Sequence, residues 1–299
     1  MNSNSNLISM LDRPKAGKVV GRLVVAAALG VGMFAAGVAR AVPVSSLPDL
    51  SALTPYTTFG NLYSDSNVTV DGDAGISRNG SINVAAPSTI TGTLYIDTGV
   101  TVTGPGNILD GIVSRDLSAA QALVFSASTT LRNLTPDVSL GNVNSAQTFN
   151  GNGAVKVINM NSLTLGSGNI TLSGGASDYF VLNIAQGLSL TGSSSIVGSG
   201  IDASHILVNL YDSSGSLGLV AHVDDVINGT VIIPSDSATF HGIFGAIWSG
   251  NKQITLMSGA KVESVPFSPP STVPDAGSSL ALMSIGLGFL ATAKRKFLS

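Results

Sequence analysis

A β-solenoid with one helix alongside is the fold this 299-residue chain predicts, and three observations predict it. Glutamate occurs once, at Glu263, and lysine is almost as rare. Exposed helix faces are built from Glu, Lys, Gln and Arg, so a mostly helical body is excluded. Short β-branched runs alternate with period two and are cut by Gly, Asn, Asp and Ser. A single internal segment, near residue 120, switches to helical spacing. Strands this short make a poor jelly roll, but they suit the faces of a coil whose rungs stack by parallel pairing.

From the N-terminus, Arg13, Lys15, Lys18 and Arg22 precede an apolar, Gly-containing run over 23–38. Ala39-Arg40-Ala41 then sets small residues at the two positions a signal peptidase reads, Ala39 and Ala41. Residues 1–41 thus read as a helical signal peptide, removed on export, and 42–57 as a linker. The β-solenoid domain is expected over 58–267. Its strand-like runs fall at 68–70, 82–84, 93–96, 100–102, 155–158, 163–165, 170–172, 180–184, 188–190, 206–210, 230–233, 243–247 and 254–256.

The helix is expected at about 115–134. Leu117, Ala120, Val124, Ala127 and Leu131 form one apolar stripe, and Pro136 stops it. Ser114 reads as its N-cap, with Asp116 in the first turn. A lone helix in a β chain should lie along the coil and bury that stripe.

Residues 268–277 read as a linker ending in Val273-Pro274-Asp275-Ala276-Gly277, and 278–299 as a membrane segment. The apolar run over 280–293 is followed by Lys294, Arg295 and Lys296. Basic residues stay on the cytoplasmic side, so the body must lie across the membrane. The run is shorter than the ~20 residues of a comfortable spanning helix, which suits a temporary anchor.

Between the two ends, residues 42–272 carry six basic and fifteen acidic residues, a net charge of −9. Nucleic acid is a poor partner for such a surface. With no cysteine, stability must come from packing and a hydrogen-bond ladder.

An enzyme is not expected. The one ionisable concentration is His222-Val223-Asp224-Asp225, whose adjacent acids would point to opposite faces of a strand; it reads as a polar loop. Asp202, Ser204 and His205 lie too close in sequence for a triad and lack a nucleophile elbow. Neither Gly151-Asn152-Gly153 nor Gly104-Pro105-Gly106 opens a helix as a phosphate loop must. No cofactor or metal is assigned. Asp71 and Asp73 offer calcium-type oxygens, but the Gly-Gly-x-Gly-x-Asp repeat of calcium β-rolls is absent. Thr89, Thr91 and Thr93 alternate, as do Thr101 and Thr103, the period that sets threonines on one strand face and makes them candidates for an ice-binding surface. Threonine is also simply a good strand former.

Two resemblances follow from these residues. The tail resembles the PEP-CTERM class of exosortase sorting signals, and is closest to the variant reading Val-Pro-Asp-Ser-Gly, with Ala276 in place of Ser. That implies recognition of Val273, Pro274, Asp275 and Gly277 by an exosortase, and association with exopolysaccharide and biofilm. The body resembles the choice-of-anchor A family, through Gly229-Thr230-Val231-Ile232-Ile233-Pro234, the rung 242–247, Val265-Pro266-Phe267 and the turn 70–75. It is similar, too, to the ice-binding-protein-like family, which implies a right-handed β-solenoid with a long helix at its side. The bulk of His241 and Trp248 and the length of the loop 212–228 depart from the pattern.

The function these features imply is an exported structural or adhesion protein. It would be anchored transiently in the inner membrane of a Gram-negative-type bacterium, then held at the cell surface or in the extracellular matrix. Ice binding is the alternative, and a calcium-dependent or glycan-binding module the third.

Overall fold

The computed structural model describes residues 41–78, 80–211 and 218–268. The signal segment before Ala41, the sorting motif, the apolar run and the basic tail lie outside the described residues. Among the described residues no helix is long and apolar enough to cross a membrane.

The chain winds through β1 (Tyr56–Ser64), β2 (Thr69–Val70), β3 (Asp73–Ile76), β4 (Ser81–Val84), β5 (Thr89–Ile90), β6 (Leu94–Ile96), β7 (Thr101–Thr103), β8 (Asn107–Ile108) and β9 (Ile112–Ser114). Helix α1 (Ser118–Arg132) follows. Then come β10 (Val138–Val143), β11 (Gln147–Asn150), β12 (Val155–Leu165), β13 (Asn169–Ser173), β14 (Tyr179–Ile184), β15 (Leu188–Leu190) and β16 (Ser195–Ser199). The last coils are β17 (Ile206–Leu210), β18 (Leu219–Ala221), β19 (Val226–Ile227), β20 (Thr230–Ile233), β21 (Ala238–Phe240), β22 (Ile243–Phe244), β23 (Ile247–Leu256) and β24 (Lys261–Val262).

All pairings between these strands are parallel, as in a solenoid and unlike the antiparallel jelly roll. Each full coil crosses three faces, and long strands such as β1, β12 and β23 bend from the first face to the second. The third face is a separate nine-stranded sheet running from β11 to β8.

Coil order in space is not coil order in sequence. The first coils do not continue into the later ones. α1 carries the chain along the stack to β10, and the coils then wind back until β23 pairs with β1. β23 therefore has β20 and β21 on one side and β1 on the other. A stack joined this way has two ends, and at the β8–β9 end Leu109, Ile112 and Val113 stay exposed because no coil covers them.

Two apolar layers result. Inside the coil, one continuous cluster runs from Ile90 and Leu94 through Leu62, Ile254 and Phe240 to Leu163 and Leu172. Outside the first face, α1 lies on a second cluster, with Leu117, Ala120, Val124, Ala127 and Leu131 packed among Val157, Val181, Leu207, Ile232 and Trp248. The stripe read from the sequence is thus the buried face of the helix.

Polar groups register the helix on this layer. Asn159, Asn183 and Asn209 occupy one register position on β12, β14 and β17. Asn209 Nδ2 donates to Asn183 Oδ1 (2.9 Å) and to the Ser128 carbonyl (3.1 Å). Asn183 Nδ2 donates to Asn159 Oδ1 (3.0 Å) and to the Leu131 carbonyl (2.8 Å). Ser128 Oγ returns a bond to Asn209 Oδ1 at 2.6 Å. Asn183 and Asn209 are fully buried, so a fully satisfied network is what lets them sit there.

Several expectations are corrected. The helix spans Ser118–Arg132, shorter than 115–134, and Ser114 is not its cap but the last residue of β9, paired with Ile96. Asp116 lies ahead of the first turn, and its Oδ1 accepts the Ser118 N–H at 2.9 Å. The stretch 42–57 is no free linker. Leu50 and Leu53 are wholly buried beside the helix layer, Val42 bridges Val155, and β1 has begun by Tyr56. Of the supposed long loop 212–228, the described part, 218–228, holds β18 and β19. Trp248 is bulky because it fills the space between the join and the helix, with Nε1 donating to the Tyr56 carbonyl at 2.8 Å.

Trp248→Ala should remove both that bond and a large buried side chain at the join. The expected cost is about 3–5 kcal/mol, read from denaturant unfolding. Thr164→Ala, on an exposed strand position, should change stability by less than about 0.5 kcal/mol.

Candidate functional site

With the first face roofed by α1, the second and third faces remain open. On the second, three-residue strands of the type apolar–short–apolar stack in register. Their central residues form one outward rank: Thr164, Ser189, Val220, Thr239, Thr255, Tyr63, Asn83 and Thr103. The neighbours of the first seven point inward and are buried, as Leu163 and Leu165, Leu188 and Leu190, or Ile254 and Leu256 are, whereas Thr103 ends β7 beside the half-buried Val102 and the exposed Gly104. Inward packing beside these positions fixes the register of each rung, because a slip of one residue would turn the apolar side chains outward. It passes from Thr255 to Tyr63 across the join without a break in register. Tyr63 is the bulky member, 37% exposed.

The third face is more mixed. Its outward rank runs Asn169, Ser195, Val226, Ile243, Lys261, Thr69, Thr89 and Asn107. Lys261 pairs with Glu263 at 2.9 Å, both more than two-fifths exposed, and such a pair contributes little to stability.

The five threonines singled out from sequence are divided between these faces. Thr101 and Thr103 stand on β7 of the second face, Thr89 on β5 of the third. Thr91 follows β5, where Oγ1 accepts the Gly72 N–H at 2.8 Å and donates to Asp71 Oδ1 at 3.0 Å. Thr93 lies at the corner before β6, its N–H donating to Asp73 Oδ1 at 2.8 Å. Asp71 and Asp73 thereby bind the neighbouring coil, and among the described residues no group of three metal-ligating side chains converges. Of the export and sorting residues, only Ala41 is described. The longer rank of Thr164, Thr239, Thr255 and Tyr63 was missed, although the repeated triplets Leu-Thr-Leu, Ala-Thr-Phe and Ile-Thr-Leu were its signal.

The remaining candidates serve turns. Asp225 is fully buried; Oδ1 accepts the Ser194 N–H and Oδ2 the His222 N–H, each at 2.7 Å. Asp178 likewise accepts from Gly153 and Gly175 (2.6 and 2.8 Å). Asp97 Oδ2 accepts the Leu117 N–H at 3.2 Å, tying the start of the helix to β6. Asp202 Oδ1 accepts the Ser204 N–H, which holds its carboxyl below the ordinary carboxylate range. His205 stacks on Tyr179 with ring centres 4.0 Å apart and bonds the Asp178 carbonyl. His222 and His241 lie parallel on adjacent rungs, 6.0 Å apart.

A parallel coil with one face roofed by a helix and two faces open, the second carrying an uncharged rank, defines a β-solenoid of the helix-flanked type. The family model described as "Putative Ice-binding-like adhesive domain" matches residues 15–253, and the chain belongs to that family. A second model, the VPDSG-CTERM motif, matches 272–297, the tail read from the sequence as a sorting signal. A sorting motif behind such a body marks an exported, cell-surface protein. No curated protein matches the chain.

Among solved structures, an ice-binding protein from an Antarctic biological consortium is similar at 19% identity, covering 74% of this chain and 90% of its own, with a TM-score of 0.52. One from the Antarctic ascomycete Antarctomyces psychrotrophicus is 19% identical over 74% of this chain and 98% of its own, TM-score 0.52. The ice-binding protein of an Arctic yeast is 18% identical over 76% and 98%, TM-score 0.53. These likenesses establish the fold.

Asp225→Ala should leave the buried Ser194 N–H and the partly buried His222 N–H without their acceptor, at a cost of about 1–3 kcal/mol for the first and less for the second, and lower the thermal midpoint. Asp224→Ala, its neighbour on the exposed side of the turn, should cost clearly less.

Proposed function

We propose that this chain is an exported, non-catalytic adhesion and structural module, displayed at the cell surface or in the extracellular matrix, whose second face makes the contact. The observation that carries this reading is the rank from Thr164 to Thr103, uncovered and in register over both sets of coils. A face with no charged member in that rank suits close approach to a neutral, hydroxyl-rich surface such as extracellular polysaccharide, because little has to be desolvated.

The two ends support delivery. Signal peptidase would cut after Ala41. An exosortase would read Val273, Pro274, Asp275 and Gly277 while the run 280–293 holds the chain in the inner membrane. Lys294, Arg295 and Lys296 would keep the tail cytoplasmic. Pro274→Ala with Asp275→Ala should leave the protein in the inner-membrane fraction, read by fractionation. Unchanged delivery to the surface removes the exosortase part of the reading.

Ice binding is the second reading. It is favoured by the ice-binding proteins that share the fold and by Thr164, Thr239, Thr255 and Thr103 in one rank. Tyr63, Asn83 and Val220 break that rank, which weighs for adhesion. Thr239→Arg with Thr255→Arg should reduce attachment of displaying cells to polysaccharide-coated surfaces several-fold without lowering the thermal midpoint. Strong inhibition of ice recrystallisation by the wild-type chain, lost in the same variant, decides for ice instead.

A further inference from the structure

At the join, β1 and β23 do not match residue for residue. Phe59 pairs with Trp248 and Asn61 with Gln253, so Gly60 alone stands opposite Ser249, Gly250, Asn251 and Lys252. Gly60 has φ +129°, and a Cβ there would press on Ser249 Cβ at 2.8 Å. The bulge is pinned to the helix, because Gln121 Nε2 donates to the Gly250 carbonyl at 2.9 Å. Ser249 Oγ closes its base by donating to the Lys252 carbonyl at 2.9 Å.

Under this bulge lies a cavity of about 300 Å3 lined by Asn61, Ser77, Arg78, Gln121 and Asn251. Those five described residues offer three amides, one hydroxyl and one guanidinium, with no carboxylate among them. Gln121 uses its amide N–H, leaving Oε1 to accept. Among the described residues Arg78 makes no ion pair within bonding distance. Asp116 stands near it; that carboxyl is held low first by the Ser118 N–H and to a lesser degree by Arg78. In contrast, Arg115 and Arg132 are occupied over the rings of Tyr95 and Tyr211.

We propose that this cavity is a subsite for an acidic sugar residue, with Arg78 taking the carboxylate and the amides of Asn61, Gln121 and Asn251 the ring hydroxyls. A guanidinium presents paired donors that match a carboxylate, and an amide both donates and accepts, as hydroxyls require. The volume is at the small end for ligand sites, suited to one sugar unit and not to a peptide segment. Asn61 lies two positions before Tyr63 on β1, so the cavity opens at the edge of the second-face rank. A chain laid along that face would thus drop one uronate into it. The proposal rests on the adhesion reading and names the glycan class it would take.

Titration of the full chain with a galacturonic acid tetramer, and with an uncharged cello-oligosaccharide of the same length, tests it. The acidic tetramer should bind, and Arg78→Gln should weaken it at least tenfold. Gln121→Ala should weaken it too, with the far-ultraviolet spectrum unchanged. Raising salt should weaken the acidic tetramer alone. Absence of binding at millimolar tetramer, equal binding by Arg78→Gln, or equal uptake of the uncharged oligomer would overturn the subsite. Cell attachment is read separately. A wild-type chain that adheres but ignores the tetramer overturns the cavity alone, whereas one that takes the tetramer without adhering overturns the adhesion reading.

Discussion

The pairing of β23 with β1 is the contact on which the rest of the molecule depends. Coils far apart in sequence meet there, and the surrounding layers all close over it. Trp248 bonds the Tyr56 carbonyl, while Phe59, Ile232 and the helix stripe pack around its indole. Without that seam each set of coils would end in a raw strand edge with an apolar lip, as the β8–β9 end still does. The same seam makes the second-face rank continuous and, through its mismatch at Gly60, opens the polar cavity beside it. Contacts bridging such separations form slowly, since the loop they close is nearly the whole body.

Much of the coil was legible in local sequence because its signals are local. Runs such as 163–165, 170–172 and 188–190 alternate cleanly, and each became a strand. The helix stripe was legible for the same reason, since spacing within a turn sets which side chains share a face. β1 and β3 were not. Gly60 and Asn61 interrupt the first, and Gly75 sits in the second because the rings of Phe59 and Tyr56 lie where its side chain would be. No local pattern announces a close approach by a residue sixteen or nineteen positions away. The seam was equally hidden, apart from the unusual bulk of Trp248. Ser114 misled because a cap signal is short and β9 claimed it first.

The acidic surplus of the body also acquires a structural meaning. Asp97, Asp178 and Asp225 are buried and spend both carboxylate oxygens on backbone N–H groups where the chain turns between faces. Sequence reading took residues 222–225 as a polar loop, and they form a tight turn in which Asp224 adopts φ +69° and Asp225 folds inward. The turn carboxylates do the work that cross-links do in other exported domains, tying successive rungs without any cysteine.

Joining the coils by their middle has a consequence for how the body is held. Ser268 donates to the Ser204 carbonyl, and Phe267 is buried with its N–H on Thr230 Oγ1, partway along the stack and away from either tip. The last described residues are therefore held on the flank of the coil stack, against the coils that carry Ser204 and Thr230, and not at either tip.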